Sequence, residues 1–306
     1  MRRIEFLGVS TAQSIVNRTF LGWAECLGEE LALARTDLPL GSSAADYREY
    51  VLRLKAGHPN CVGALITSHK AAVFDAARDL FDNITSAAEA LGEVGMVYWR
   101  NSRMVGDAND CLSTEMVSRK LLCSSPEWVS SERRALILGG GGAGLALTRT
   151  LANDSRIGCR EITIAETRGD RASVVAERVS QWSASAPIRV VRTSGRADNL
   201  LEALPRGSLV ANATGLGKDV AGSPISTDAV FPLNGYVWEF NYRFLPQSEP
   251  NFLEIASRQK EARHLTLEDG WDYFIWGWLG VMTNAVGVGA GSQQYEPFRR
   301  VAEAAR

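Results

Sequence analysis

The sequence predicts an α/β protein built from two domains. Short apolar runs that suit strands alternate with helix-forming segments along most of the 306 residues, an order typical of parallel sheets with helices on both faces. A polar stretch at 124–131 divides the alternation into two series, as linkers rich in serine and proline do. The length agrees with two domains, because domains usually hold about 100–200 residues.

The first series covers the N-terminal third of the chain. Residues 61–67 indicate a buried strand because the run is almost wholly apolar and short for a helix. The predicted elements are strands at 3–7, 61–67, 94–99 and 104–106, with helices at 45–55, 71–80, 86–91 and 114–123.

The second series begins near Arg134 and follows the same rhythm. A short apolar strand leads into four glycines, and a helix-forming run follows them. The predicted elements are strands at 135–138, 161–165, 188–191, 209–213 and 236–240, with helices at 143–152 and 171–182. Their order predicts a Rossmann-like, doubly wound sheet.

Composition narrows the partners. The net charge is −2 and no basic run stands out, so we expect no nucleic-acid surface. No apolar stretch approaches the roughly 18 residues of a membrane span, and the N-terminus lacks a signal-peptide core. Five irregularly spaced cysteines and three histidines favour reduced, packed thiols over a metal site. We therefore expect a cytoplasmic protein with a small-molecule partner, no membrane and no metal, as a monomer or homodimer.

The glycine loop is the first candidate site. Gly139, Gly141 and Gly144 form G-x-G-x-x-G, with Gly140, Gly142 and Ala143 between them. Glycines permit a tight turn and let backbone N–H groups approach a pyrophosphate at a helix N-terminus. The alternative is a merely flexible loop, but the strand before and the helix after favour dinucleotide binding.

The end of the next strand bears on the choice of dinucleotide. Glu166 lies 27 residues after Gly139, where an acidic side chain accepts hydrogen bonds from the ribose hydroxyls of NAD. Arg168 and Arg171 follow, and either can pair with the 2′-phosphate of NADP. All three can also be solvated surface charges. We expect NAD in preference to NADP.

Several short motifs occur in a fixed order along almost the whole chain. They are Ile66-Thr67-Ser68-His69-Lys70, Ala87 to Gly95, Gly106-Asp107-Ala108-Asn109-Asp110, the glycine loop, Asn212-Ala213-Thr214-Gly215-Leu216-Gly217 and Asp269-Gly270. In this order the sequence resembles the shikimate and quinate dehydrogenase family. The resemblance implies a substrate-binding domain at 1–112, completed by C-terminal helices at 269–306, and a dinucleotide-binding domain at 113–268.

The resemblance also implies the chemistry. Lys70 falls on the family's catalytic lysine and Asp110 on the aspartate that shares its site. A lysine that takes or returns the hydroxyl proton suits hydride transfer at an alcohol carbon, whereas the alternative is an ordinary ion pair. His69 is expected to be structural. The other implied residues are Tyr242 near the substrate and, at the cofactor, Asn212, Ala213, Thr214, Leu216 and Gly270.

Four substrate positions depart from the family pattern. Ile66 replaces a threonine, unless Thr67 takes over its role, while Gly95 replaces an asparagine and Gly277 a glutamine. The N-terminal serine motif is degraded, although Ser10 and Ser14 can still supply hydroxyls. Because polar anchors are lost, we expect a substrate that is larger or less hydroxylated than shikimate.

Aromatic residues crowd the C-terminal helix that follows Gly270. They are expected to pack a core more readily than to line the pocket, and they are Trp271, Tyr273, Phe274, Trp276 and Trp278.

Three functions fit these observations. The first is an NAD(P)-dependent oxidoreductase that interconverts an alcohol and a ketone on a cyclic, carboxylated small molecule. The second is a ligand- and cofactor-binding sensor without turnover, against which the retention of Lys70 and Asp110 argues. The third is another reaction on the same two-domain plan, as in folate-linked dehydrogenases, which the Lys70 to Asp110 spacing fits less well.

Overall fold

The computed structural model describes residues 1–218 and 220–306, except the side chain of Ser292. The chain forms two compact units. Unit 1 comprises Met1–Ser113 and Ile275–Arg306, and unit 2 comprises Thr114–Phe274. Each unit is built around its own six-stranded sheet.

The strands and helices of the described residues follow in chain order. The strands are β1 (Arg2–Gly8), β2 (Leu31–Asp37), β3 (Cys61–Ile66), β4 (Asn83–Ile84), β5 (Met96–Arg100), β6 (Arg103–Asp107), β7 (Arg134–Leu138), β8 (Glu161–Glu166), β9 (Ile188–Arg192), β10 (Leu209–Asn212), β11 (Tyr236–Glu239) and β12 (Thr266–Glu268). The helices are α1 (Val16–Cys26), α2 (Ala44–Gly57), α3 (Lys70–Ala77), α4 (Ser86–Leu91), α5 (Asp110–Ser118), α6 (Pro126–Ser130), α7 (Gly142–Asn153), α8 (Gly169–Ser180), α9 (Asp198–Glu202), α10 (Phe252–Arg263), α11 (Trp271–Val286) and α12 (Ser292–Ala305).

The sheet of unit 1 has the order β2-β1-β3-β5-β6-β4. It is mixed, because β5 runs antiparallel to both β3 and β6. The ends of β3 and β6 therefore lie at the same edge of the sheet as the start of β5. This edge brings together Lys70, Gly95 and Asp110, which closely follow or precede those strands.

Unit 1 has a continuous apolar core that includes Leu7, Val51, Ile66 and Met104. The C-terminal helices belong to this unit. The Trp23 ring of α1 stacks on Phe298 of α12 with ring centroids 5.3 Å apart, and its indole N–H donates to the Phe298 carbonyl at 2.8 Å.

The sheet of unit 2 has the order β12-β11-β10-β7-β8-β9, and every pairing in it is parallel. Its central strands are fully buried, as β10 and the last four residues of β7 show. Helices cover such a sheet on both faces, so its strands become apolar runs. The α/β class and the Rossmann-like second domain are thus confirmed.

Two local features differ from the sequence prediction. The polar stretch 124–131 contains α6, because Pro126 takes the first helical turn, where no N–H is needed. Trp128 anchors this helix: it is fully buried and donates to the Ile157 carbonyl at 2.8 Å. The predicted helix 114–123 begins earlier, at Asp110, and ends in a π-helical turn at Arg119–Cys123.

No helix among the described residues is long and apolar enough to cross a bilayer.

Candidate active site

A buried lysine–aspartate pair lies at the shared strand edge of unit 1. Lys70 begins α3 and Asp110 begins α5, and the Lys70 Nζ lies 2.5 Å from the Asp110 Oδ2. The side chains are 17% and 5% exposed. The α5 N-terminus favours a carboxylate at position 110. The structure thus brings together the two residues that the sequence predicted as the proton-transfer pair.

Neighbouring carboxylates set the protonation of Lys70. Burial by itself lowers its pKa, but the charges of Asp110 and Glu93 and the hydrogen bond to Asp110 outweigh burial, so the pKa of Lys70 is raised. Glu93 is only 4% exposed. Lys70 is therefore protonated at neutral pH, ready to give a proton to an oxygen that gains negative charge. Sequence reasoning did not single out Glu93, because no motif spacing relates it to Lys70.

Gly95 is held between two strands beside this pair. Its carbonyl accepts from the Ile66 N–H and its own N–H donates to the Asp107 carbonyl, each at 2.8 Å. A Cβ at Gly95 would lie 2.1 Å from the Asn109 Oδ1 and 3.4 Å from the Lys70 Cε. The space left by the missing side chain is therefore filled by Asn109.

Gly277 lies on α11 and faces the same residues. A Cβ there would lie 3.5 Å from the Ser113 Oγ and 3.6 Å from the Asn109 Nδ2, which are ordinary contacts. The predicted positions 95 and 277 thus meet around one side chain, Asn109, which the sequence interpretation passed over although it stands beside Asp110 in the same motif.

The other predicted substrate residues of unit 1 have mixed positions. Ile66 is fully buried in the apolar core, and the Thr67 hydroxyl donates to the Leu7 carbonyl at 3.2 Å. Ser10 is exposed, whereas Ser14 is half-buried with its Oγ 3.5 Å from the Val16 N–H. Only the serines keep hydroxyls that lack a strong internal partner among the described contacts.

His69 and the aromatic residues have packing roles. His69 is buried and its ring nitrogens lie 3.1 Å from the Tyr47 hydroxyl and 2.9 Å from the Leu38 carbonyl. In unit 1 the Trp278 ring lies 5.2 Å from that of Phe6, and Trp276 stacks on Tyr295 at 4.4 Å.

In unit 2 the glycine loop joins β7 to α7 with the geometry of a phosphate cradle. Gly139 has φ +99°, which glycine adopts without strain. A Cβ at Gly144 would lie 2.1 Å from the Gly139 carbonyl oxygen, so only glycine permits this closeness of helix and strand. At Gly141, the residue before α7, a Cβ would meet nothing within 4 Å. The loop therefore presents open space in front of the N-terminal N–H groups of α7, which include those of Gly142 and Ala143.

Glu166 and two arginines support this loop. The Glu166 carboxylate is 5% exposed and accepts from the Gly140 N–H at 3.2 Å and the Arg168 N–H at 3.1 Å. The Arg171 guanidinium donates to the Gly140 carbonyl at 3.1 Å. The Arg168 side chain is 67% exposed. The three predicted residues therefore surround one side of the glycine loop.

The ends of β10 and β11 form a second polar network. The Asn212 Nδ2 donates to the Glu239 Oε2 at 2.6 Å, while its Oδ1 accepts from the Thr214 hydroxyl at 2.7 Å. The Thr214 hydroxyl oxygen in turn accepts from the Leu216 N–H at 3.2 Å. Burial raises the pKa of Glu239 to about 8. The network fixes the loop that starts at Ala213, whose N–H donates to the Leu138 carbonyl beside the glycine loop.

Tyr242 and Gly270 lie close to the end of β11. The Tyr242 ring centroid is 4.6 Å from that of Phe274. A Cβ at Gly270 would lie 2.1 Å from the Phe240 carbonyl oxygen, so Gly270 allows two backbone segments to touch. The structure thus gives Gly270 a packing role in its own right.

A two-unit α/β protein with a buried lysine–aspartate pair in one unit and a glycine-rich strand–helix turn in the other has the layout of a nicotinamide-dinucleotide dehydrogenase. No family model matches the chain. Shikimate dehydrogenase (NADP(+)) of Lactococcus lactis subsp. cremoris strain MG1363 is 26% identical over 179 residues, 58% of this chain and 59% of the relative. That of Streptococcus gordonii strain Challis is 29% identical over 180 residues, 58% of each chain. The matches span less than two thirds of these relatives.

Solved structures share the fold along the full length. Shikimate 5-dehydrogenase from Thermus thermophilus, in complex with NADP(H) and shikimate, aligns with TM-score 0.71 and 23% identity over 100% of both chains. Quinate dehydrogenase from Corynebacterium glutamicum, in complex with NAD, aligns with TM-score 0.74 and 20% identity over 97% of this chain and 98% of that one. The 5-ketofructose reductase of Gluconobacter sp. strain CHM43 aligns with TM-score 0.69 and 19% identity over 99% and 98%. The predicted resemblance is confirmed: the chain is a divergent, shikimate dehydrogenase-like protein.

Proposed function

We propose that the protein is an NAD(P)-dependent oxidoreductase that interconverts an alcohol and a ketone on a cyclic, carboxylated small molecule related to shikimate or quinate. The observation that carries the proposal is the buried Lys70–Asp110 pair, 2.5 Å apart at the strand edge of unit 1. A pair that served stability alone gains little from such burial, because desolvation offsets the attraction of the two charges. Buried, charge-coupled groups of this kind cluster at functional sites.

Lys70 acts on the substrate oxygen. In ketone reduction the carbonyl carbon gains a hydride, and the Lys70 ammonium gives its proton to the oxygen, leaving a neutral amine. In alcohol oxidation the neutral amine takes the hydroxyl proton as the hydride leaves the carbon. Asp110 holds the Lys70 Nζ in place and stabilises the ammonium, so it favours the proton-donating form. Such proton transfer contributes about 10²–10⁴-fold to the rate.

The glycine loop of unit 2 fits a dinucleotide. The open space at Gly141 leaves room for a pyrophosphate against the backbone N–H groups at the start of α7. Residues of the Asn212–Leu216 loop, which the structure fixes through Asn212 and Thr214, lie at the ends of neighbouring strands. A bound nicotinamide dinucleotide supplies the hydride acceptor or donor. The chain's own part is to bind and orient it.

Glu166 supports NAD over NADP. Its carboxylate is fixed by two backbone N–H groups at the end of β8, where it accepts ribose hydroxyls and repels a 2′-phosphate. The exposed Arg168 and the partly exposed Arg171 are the opposing influence, since a guanidinium binds phosphate well. The named sequence relatives use NADP(+), so the choice of NAD depends on Glu166 alone.

The substrate is a relative of shikimate, not shikimate itself. Among the predicted anchors, the Thr67 hydroxyl already has a backbone partner and Ile66 is in the core, while Ser10 and Ser14 remain available to a carboxylate. A 5-ketofructose reductase has the same fold, which shows that this fold accommodates other polyhydroxylated ketones, although fold alone does not fix function.

The proposal is tested by turnover. Purified protein is incubated with NAD and, separately, NADP, and the absorbance of reduced cofactor is followed with shikimate, quinate and other cyclic hydroxy acids. Oxidation of a member of this panel, lost in Lys70→Ala, supports the proposal. Binding of dinucleotide without oxidation of any member contradicts it and favours the non-catalytic sensor.

A further inference from the structure

We propose that Asn109, together with Ser113, forms a substrate-binding subsite that recognises a hydroxyl group on the carbon next to the one that reacts. The inference rests on the proposed function and specifies the class of its substrate, a cyclic vicinal diol or the corresponding α-hydroxyketone. It applies to unit 1 alone, since every residue involved belongs to that unit.

Asn109 occupies the position from which asparagine usually caps a helix, immediately before α5. At such a position the side-chain oxygen normally accepts a backbone N–H of the first turn. Here the Asn109 Oδ1 is buried and makes no hydrogen bond among the described residues, although the residue is only 5% exposed. The amide is turned away from its helix, so capping does not account for it.

The amide is turned toward the catalytic lysine. The Cβ position of Gly95 lies between the Asn109 Oδ1, 2.1 Å away, and the Lys70 Cε, 3.4 Å away. Only glycine at position 95 allows this arrangement, because any Cβ would overlap the amide oxygen. The absent side chain at 95 and the turned amide at 109 are therefore one feature, in which a polar group beside Lys70 is supplied from a different strand end.

Ser113 adds a second unsatisfied polar atom one helical turn further along α5. Its Oγ is buried, 1% exposed, and has no hydrogen-bond partner among the described residues. It lies near Gly277, as the Asn109 Nδ2 does, because a Cβ at Gly277 would contact both. Buried polar groups are normally hydrogen-bonded, so two such groups on one helix face beside Lys70 indicate a missing polar partner.

The chemistry of these atoms defines that partner. An amide oxygen accepts a hydrogen bond, and a serine hydroxyl can donate one or accept one, so a substrate hydroxyl satisfies both. Because Asn109 and Asp110 are consecutive, a ring whose reacting oxygen meets Lys70 and Asp110 presents its neighbouring hydroxyl to Asn109. The loss of a side chain at 95 and 277 therefore changes the source of the polar contacts and does not remove them, which narrows the sequence-based expectation of a less hydroxylated substrate.

The first test needs no substrate. Asn109→Ala and Ser113→Ala are compared with wild type by urea unfolding of the free protein. Because each removes an unsatisfied polar atom, we expect the unfolding midpoint to stay unchanged or to rise. A clear fall in the midpoint for both variants would show that the side chains are structural and would overturn the inference.

The second test uses two probes that differ by one hydroxyl, 3,4-dihydroxycyclohexane carboxylate and 3-hydroxycyclohexane carboxylate. We expect wild type to prefer the diol at least about tenfold in kcat/KM, and Asn109→Ala to reduce this preference to within about threefold, since one hydrogen bond is at stake. Ser118→Ala is the matched control: its Oγ is also buried without a partner, but it lies eight residues after Asp110 on the same helix, about 12 Å along the axis. This control is expected to keep the full preference.

The outcomes separate the two proposals. If wild type oxidises a probe and Asn109→Ala keeps the preference for the diol, the subsite assignment is wrong and the proposed function stands. If wild type oxidises neither probe, nor shikimate nor quinate, the proposed function fails. The subsite is then judged by thermal shifts: stabilisation by the diol that disappears in Asn109→Ala supports it, and equal shifts in both proteins refute it.

Discussion

Replacing Gly141 with alanine is expected to separate dinucleotide binding from folding. In the free protein the added methyl group meets nothing within 4 Å, and the backbone φ of −74° suits alanine. We therefore expect the free energy of unfolding to change by less than about 0.5 kcal/mol, as for substitutions that disturb no contact. Urea unfolding followed by fluorescence measures this change.

The same methyl group stands where a pyrophosphate would approach the start of α7. Displacing the phosphate breaks at least one hydrogen bond to a charged group, which contributes about 1.5–3 kcal/mol. This loss corresponds to a rise in Kd for NAD or NADP of roughly 10- to 150-fold. Fluorescence titration with each oxidised dinucleotide gives the Kd values for wild type and variant.

Gly144→Ala is the control within the same loop. Its Cβ would lie 2.1 Å from a backbone carbonyl oxygen that cannot turn away, so we expect destabilisation of about 1–3 kcal/mol or more from overpacking. A Gly141→Ala protein that binds both dinucleotides as wild type does would refute the assignment of this loop to phosphate. Destabilisation of Gly141→Ala equal to that of Gly144→Ala would refute the structural reasoning.

Four further results are expected. Lys70→Ala lowers kcat by about 10²–10⁴-fold with an unchanged Kd for dinucleotide, and steady-state turnover beside a binding titration would expose unchanged kcat, which contradicts the mechanism. Because its raised pKa keeps Lys70 protonated, alcohol oxidation quickens as the pH rises; Asp110→Asn removes the carboxylate that raises this pKa, so the alkaline limb of the kcat/KM profile moves to lower pH, and a stationary limb argues against the pair. Glu239 has a folded-state pKa of about 8 against an ordinary 4.5, so unfolding releases a proton between these values and stability falls as the pH rises, by at most about 1.4 kcal/mol per unit. Glu239→Gln removes this slope in urea unfolding at pH 5 to 8, and a slope that persists assigns it to other groups. Glu166→Ala weakens both dinucleotides because the Gly140 N–H loses its acceptor, yet lowers the NAD to NADP affinity ratio; a constant ratio from paired titrations would leave cofactor choice to other residues.

Local patterns carried much of the fold into the sequence prediction. The strand–glycine–helix turn at 134–153 and the paired strands around 100–103 depend on neighbours in the chain, so periodicity and turn residues reveal them. The mixed sheet of unit 1 and the helix at Pro126–Ser130 depend on tertiary packing, above all on the burial of Trp128. Such packing leaves little trace in the order of residues.

The site shows the same division. Lys70 and Asp110 are recognisable because each follows a strand within a motif, and the structure joins them. The sequence alone presents Gly95 as an empty place, since it shows which side chain is absent but not which distant one moves in. The Asn109 amide fills that place from another strand. A polar residue that stands at a capping position and does not cap is a signal that only coordinates reveal.

The supports of the reacting pair and of its neighbours differ. Lys70 and Asp110 are the first residues of helices that start at strand ends, and the backbone of the sheet fixes both starting points. Positions 95, 109, 113 and 277 contribute only side chains, or the lack of them, to the surroundings. A combinatorial library confined to these four positions would therefore vary which ring the protein accepts while leaving the proton-transfer step in place, and the coupled identities at 95 and 109 would have to be varied together.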